Sequence, residues 1–163
     1  MVCNMDETRI AEAVGKAVRS LLPRSITPQE AHKLAKAVRC RARSMGVKAV
    51  IAVSDAHANP ILCEAEEGAY IASWDIALNK SYTVVALKMS TAALAELAAP
   101  GGELYGIQFT NGGKIVVFGG GEPLESEGRI IGGLGVSGGS AQQDTALAAY
   151  GKQIFKEICS DAE

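Results

Sequence analysis

The chain holds only two imidazoles, His32 and His57, and four thiols, Cys3, Cys40, Cys63 and Cys159. A Ser–His–Asp or Cys–His centre needs an imidazole beside a nucleophile, with a third group orienting it. The sequence offers no nucleophile elbow and no such constellation. No two cysteines stand at CxxC spacing, so a zinc site would lack its usual paired ligands. Each thiol reads as a small core hydrophobe in a reduced, cytoplasmic protein. His32 falls on a helical pattern near Lys33, Lys36 and Arg39. An imidazole there can ligate a metal centre while the cations meet carboxylates, or it is an ordinary half-exposed helix histidine. His57 falls in a polar turn, where such residues are expected in any case.

A second candidate is the run Gly132-Gly133-Leu134-Gly135-Val136-Ser137-Gly138-Gly139, which opens the last helix. Backbone N–H groups there could cradle an anion, aided by the helix dipole. The run is neither a Walker loop nor a GxGxxG opening a βαβ unit. The alternative is that its glycines let a strand lie close to a neighbouring helix or subunit. If the protein is an enzyme, Asp144 or Asp55 near this loop would act. Glu64, Glu66 and Glu67, and the pair Asp75 and Lys80, five apart rather than four, read as solvated or interface charge. Met45 and Met89 read as apolar filler.

These groups need elements to place them. Residues 6–22 carry Ile10, Ala13, Val14, Ala17, Val18 and Leu21 on one helical stripe, and Pro23 breaks the pattern. Thr27-Pro28-Gln29-Glu30 is a capping box with Pro at the first helical position, starting a helix that Gly46 ends. Residues 47–54 and 61–65 read as strands joined by a short turn, hence an antiparallel hairpin. Residues 69–87 read as a helix, and Ser90 or Thr91 starts a shorter one through Ala98. Lys114–Phe118 reads as a strand, 119–122 as a loop, 123–126 as a short strand, Glu127-Gly128 as a tight turn and Arg129–Val136 as the final strand. Ser140-Ala141-Gln142-Gln143 is a second capping box, here with Gln at its third helical position. The expectation is an α+β, profilin- or PAS-like layered domain whose five-stranded antiparallel sheet is flanked by helices. Residues 1–25 form an amphipathic helix and linker, and residues 26–163 form the domain.

Composition narrows the function classes. A formal net charge of −2 without a basic patch, and 5% aromatic residues, exclude a nucleic-acid surface. No apolar stretch reaches the roughly 18 residues of a membrane span, and no basic-then-apolar leader begins the chain.

Three strings are distinctive together. They are Ile51-Ala52-Val53-Ser54-Asp55-Ala56, the series Ser73, Asp75, Ala77, Lys80, Tyr82 and Thr83, and Ile130 through Gly139 followed by Gln143-Asp144. Over residues 26–158 the chain resembles the GlcG/HbpS family, which includes the C-terminal domain of PduO-type proteins. It departs from the family's DAGG turn at Asp55-Ala56-His57-Ala58. The resemblance implies the five-stranded sheet, self-association into dimers, tetramers or octamers, and binding of haem or a corrinoid-related tetrapyrrole. It places His32 where some members offer an axial histidine to haem iron. The expected binding set is His32, Lys36, Gly135, Ser137, Gly138 and Gly139, and the chain reads as a binding module rather than an enzyme. The alternatives are an enzyme of glycolate, diol or corrinoid-linked metabolism, and a structural cargo protein. The adenosyltransferase domain found upstream in full PduO proteins is absent, so cobalamin adenosylation is not carried over. The N-terminal helix resembles encapsulation peptides of bacterial microcompartment cargo, which implies a shell partner for residues 6–22. A helix packed on its own domain is the alternative.

Overall fold

In the computed structural model, residues 7–21 and 24–160 are described. The elements are α1 (Glu7–Leu21), α2 (Pro28–Ser44), β1 (Val50–Asp55), β2 (Pro60–Ala65), α3 (Ala72–Ala86), α4 (Thr91–Leu97), β3 (Gly121–Ser126), β4 (Arg129–Ser137) and α5 (Ala141–Ser160). Both capping boxes form. Thr27 Oγ1 accepts the Glu30 amide while Glu30 Oε2 accepts the Thr27 amide. Ser140 and Gln143 reciprocate in the same way at the start of α5.

The sheet has four antiparallel strands in the order β2-β1-β4-β3, not five. The missing one is Lys114–Phe118. Its Ile115 and Val116 are buried as a strand's would be, but its main chain bonds to a helix side chain instead of a ladder. Thr83 Oγ1 accepts the Val116 amide at 3.0 Å, and its one proton is shared between the Asn79 carbonyl at 2.7 Å and the Lys114 carbonyl at 3.2 Å. Pairing begins later, at Gly121, so β3 takes in Gly121 and Glu122, which the sequence suggested were loop.

Side-chain alternation along the strands sorts the layers. Ile51 and Val53 of β1, with Leu134 and Val136 of β4, face Leu34, Val38, Leu147 and Phe155 of α2 and α5 in the main core. The opposite face turns Val50 and Ala52 toward Ala77 of α3, and Ser54 Oγ donates to the Ser81 carbonyl at 3.0 Å. On that face β4 presents Gly133 and Gly135. A Cβ at Gly135 would lie 2.0 Å from the Ala77 carbonyl oxygen, so α3 rests on bare strand backbone there.

The β1–β2 turn closes without the family's glycines. Asp55 Oδ1 accepts the amides of His57 and Asn59, each at 2.8 Å. This holds Ala58 at φ +64°, a left-handed conformation costly for a residue with a Cβ. In α1, Ile10, Val14 and Val18 remain 43, 55 and 48% exposed, so these positions of the apolar stripe are not covered.

Candidate functional site

The strongest concentration of buried polar chemistry lies where α3, the end of β4 and the start of α5 meet. Lys80, read from sequence as a solvated charge, has no exposed surface. It occupies the inward stripe of α3 with Ser73, Ala77 and Val84. Its Nζ donates to the Val136 carbonyl at 2.7 Å and to Asp144 Oδ2 at 3.0 Å, and sits 4.8 Å from the Phe118 ring centroid. Asp144 Oδ1 accepts the Gly139 amide at 2.9 Å. One carboxylate thus ties the strand-to-helix loop, α5 and α3 together. Burial holds the Lys80 pKa below its ordinary value, outweighing the opposite pull of Asp144. Asp75, its neighbour in the sequence reading, is exposed.

Beside this pair is a cleft of about 260 Å³, walled on its apolar side by Tyr70, Ile76 and Phe118 and on its polar side by Ser73, Ser137 and Asp144. The three polar side chains are almost fully buried, at 4, 4 and 3% exposure. Ser137 Oγ donates to Ser73 Oγ at 3.1 Å. Gly138 and Gly139 close the rim. At Gly138 the close approach of the Lys48 carbonyl, 2.3 Å from a built Cβ, and φ +148° explain the glycine.

The expected binding set divides in two. Ser137, Gly138 and Gly139 line the cleft, whereas Gly135 is packed beneath α3 and is not among the lining residues. His32 and Lys36 lie exposed on α2. Arg24 Nη2 bonds Glu30 in the first turn of α2 and Cys159 Sγ in the last turn of α5, so the two helices run antiparallel. Asp144 and Cys159 are fifteen residues apart on α5, about 20 Å at the helical rise. Within one chain, His32 is therefore about that far from the cleft. His57 and Asp55 belong to the β1–β2 turn, at the end of β1 opposite the cleft, where the Ala56 amide donates to Ser25 Oγ just before α2. Cys63 is half-buried and its thiol is pushed up to about 11, first by burial and then by Asp75, which removes it as a nucleophile near neutral pH.

His32 has the geometry of a ligand in waiting. Its Nδ1 lies 2.7 Å from the Pro28 carbonyl. A carbonyl accepts only, so Nδ1 carries a proton, and in the neutral ring the lone pair is therefore on Nε2.

These features define a layered α+β domain, with a small cleft at one end of the sheet and an exposed imidazole at the far end of the opposite helical layer. The chain belongs to the HbpS-like family: the model for haem degrading protein HbpS-like matches residues 26–153. It is 40% identical over 134 residues to a Citrobacter freundii protein described as an uncharacterized 15.0 kDa protein in the dhaT-dhaS intergenic region, covering 82% of this chain and 94% of that one. It is 38% identical over 144 residues to the corrinoid adenosyltransferase PduO of Citrobacter freundii, covering 86% of this chain but only 43% of PduO. Among solved structures it superposes on a PduOC:heme complex with a TM-score of 0.76 and 36% identity, covering 79% of this chain and 94% of that one.

Proposed function

We propose that this chain is a self-associating tetrapyrrole-binding protein that holds haem on the exposed face of α2. The observation that carries this reading is the 36% identical relative of nearly the same extent solved as a haem complex. The donor set fits. His32 offers Nε2 in the neutral, ligating tautomer, oriented by Pro28. Lys36, one turn further on, is exposed beside it to meet a propionate. The cleft fits a whole macrocycle poorly, since about 260 Å³ falls below the roughly 300–1,000 Å³ of ordinary ligand sites. Bound haem would supply a redox-active iron. Self-association is favoured by exposed Tyr70, Ile71, Tyr105 and Phe109, at 75, 95, 66 and 84% exposure.

Haem titration of the purified protein is expected to give a saturable Soret band. His32→Ala should shift or abolish it while leaving the far-ultraviolet circular dichroism unchanged. Absence of saturation in the wild type, or an identical band in His32→Ala, removes the reading. A stable band under reductant and dioxygen supports holding over breakdown.

The exposed Ile10, Val14 and Val18 favour a second role for α1, docking on a partner such as a microcompartment shell. Unchanged localisation of a reporter fusion after deletion of residues 1–21 excludes it. No described helix is long and apolar enough to cross a membrane.

A further inference from the structure

We propose that the cleft between α3 and α5 is a second ligand site, separate from the tetrapyrrole face, for a small neutral molecule joining a flat apolar body to a hydroxyl group. Size comes first. At about 30 Å³ per water-sized group, a cleft of about 260 Å³ takes a molecule of about eight or nine non-hydrogen atoms. The walls then set its shape. Tyr70, Ile76 and Phe118 offer apolar and aromatic surface on one side, which suits a ring or short apolar body.

The polar end is more discriminating. A carboxylate has about four acceptor sites, and Lys80 and Gly139 occupy two of those of Asp144, so Asp144 can accept from a ligand. Ser73 accepts the Ser137 proton, and its own proton has no acceptor among the described residues. An acceptor and a donor therefore face the same space, both nine-tenths buried or more. A hydroxyl answers both at once, donating to Asp144 and accepting from Ser73. A methyl group would leave both unanswered, which is the costly outcome for buried polar groups. A carboxylate ligand would set its charge against Asp144 without a proton to donate. Because Lys80 already balances Asp144, no unpaired charge remains to hold an ion.

The test uses benzyl alcohol as the probe, in amide-resolved NMR titration of the full chain. Saturable shifts are expected at Gly138 and Gly139, with toluene and benzoate each weaker by at least about threefold to tenfold, the worth of one or two hydrogen bonds. Ser73→Ala should weaken benzyl alcohol binding by a similar factor without weakening toluene. Ala141→Phe, at an exposed rim position, should block the probe while leaving the Soret titration intact. Non-saturable or scattered shifts overturn the proposal, as does toluene or benzoate binding as tightly as the alcohol. Loss of haem binding in Ala141→Phe would overturn the separateness of the two sites. The tetrapyrrole reading stands or falls on haem titration and His32→Ala alone, so the two can fail independently.

Discussion

Replacing Lys80 with Met keeps an unbranched side chain, one atom shorter, and removes its charge. Lys80 is wholly buried and Asp144 is 3% exposed, so the variant leaves a carboxylate in the interior with the Gly139 amide as its remaining partner. The Val136 carbonyl loses its donor too. Breaking a buried pair by removing one partner costs about 3–5 kcal/mol. For a chain of this size that lowers the thermal midpoint by roughly 6–20 °C. Lys80→Met/Asp144→Leu should recover much of the loss, leaving about 1–3 kcal/mol for the buried Val136 carbonyl, since Gly139 is exposed and its amide can turn to water. The assay is a double-mutant cycle by urea unfolding. A Lys80→Met variant within about 1 kcal/mol of wild type would refute the claim that this pair organises the site. The pH dependence gives a second readout. With its pKa depressed by burial, Lys80 binds its proton less tightly folded than unfolded. The unfolded state then holds more protons between the folded pKa and the ordinary 10.5, so stability rises with pH across that window. Below the folded pKa the gain is gone, and Lys80→Met should lack the slope altogether.

Three further outcomes follow from positions already described. Gly135→Ala forces a Cβ to within 2.0 Å of the Ala77 carbonyl, and should cost about 3 kcal/mol or more in chemical denaturation. Ala58→Gly relieves a left-handed residue at φ +64°. It should raise stability by about 0.5–1 kcal/mol, the strain relieved exceeding the added entropy of glycine. Glu30 has its pKa held below the ordinary 4.5: burial pushes it up, but bonds from Thr27 and the Arg24 guanidinium prevail. Its contribution is present above that value and lost as pH falls through the folded pKa. Glu30→Gln should therefore flatten the acid limb of the stability profile and cost about 1 kcal/mol, a figure discounted for the 37% exposure of Arg24.

What the sequence reveals follows how locally each feature is encoded. The capping boxes at Thr27 and Ser140 involve partners three residues apart, and both form as read. The β3–β4 hairpin is similarly local: Glu127 and Gly128 take φ +51° and +73°, as a two-residue turn requires. Lys114–Phe118 misleads because β-branched residues report burial, not which acceptor its amides will find, and that acceptor is a threonine some thirty residues earlier. The Lys80–Asp144 pair spans 64 residues and no short motif announces it. A signal does exist: Ser73, Ala77, Lys80 and Val84 share one helical stripe, and a lysine on the buried face of a helix demands a buried partner. The division of His32 from the glycine loop is set by the antiparallel run of α2 and α5, which the order of elements does not disclose.

The bare backbone of β4 under α3 has a consequence for how the domain can change. On the α2/α5 face, bulk lost from one side chain can be restored by another, because many branched residues interlock there. On the α3 face at Gly133 and Gly135 there is no side-chain volume to trade. The spacing between helix and sheet is fixed by main-chain atoms in contact, and α3 carries Ser73 and Lys80 to the cleft at that fixed height. A designer reshaping the cleft is free to rework its aromatic wall, but the altitude of its polar floor is a property of the polypeptide itself.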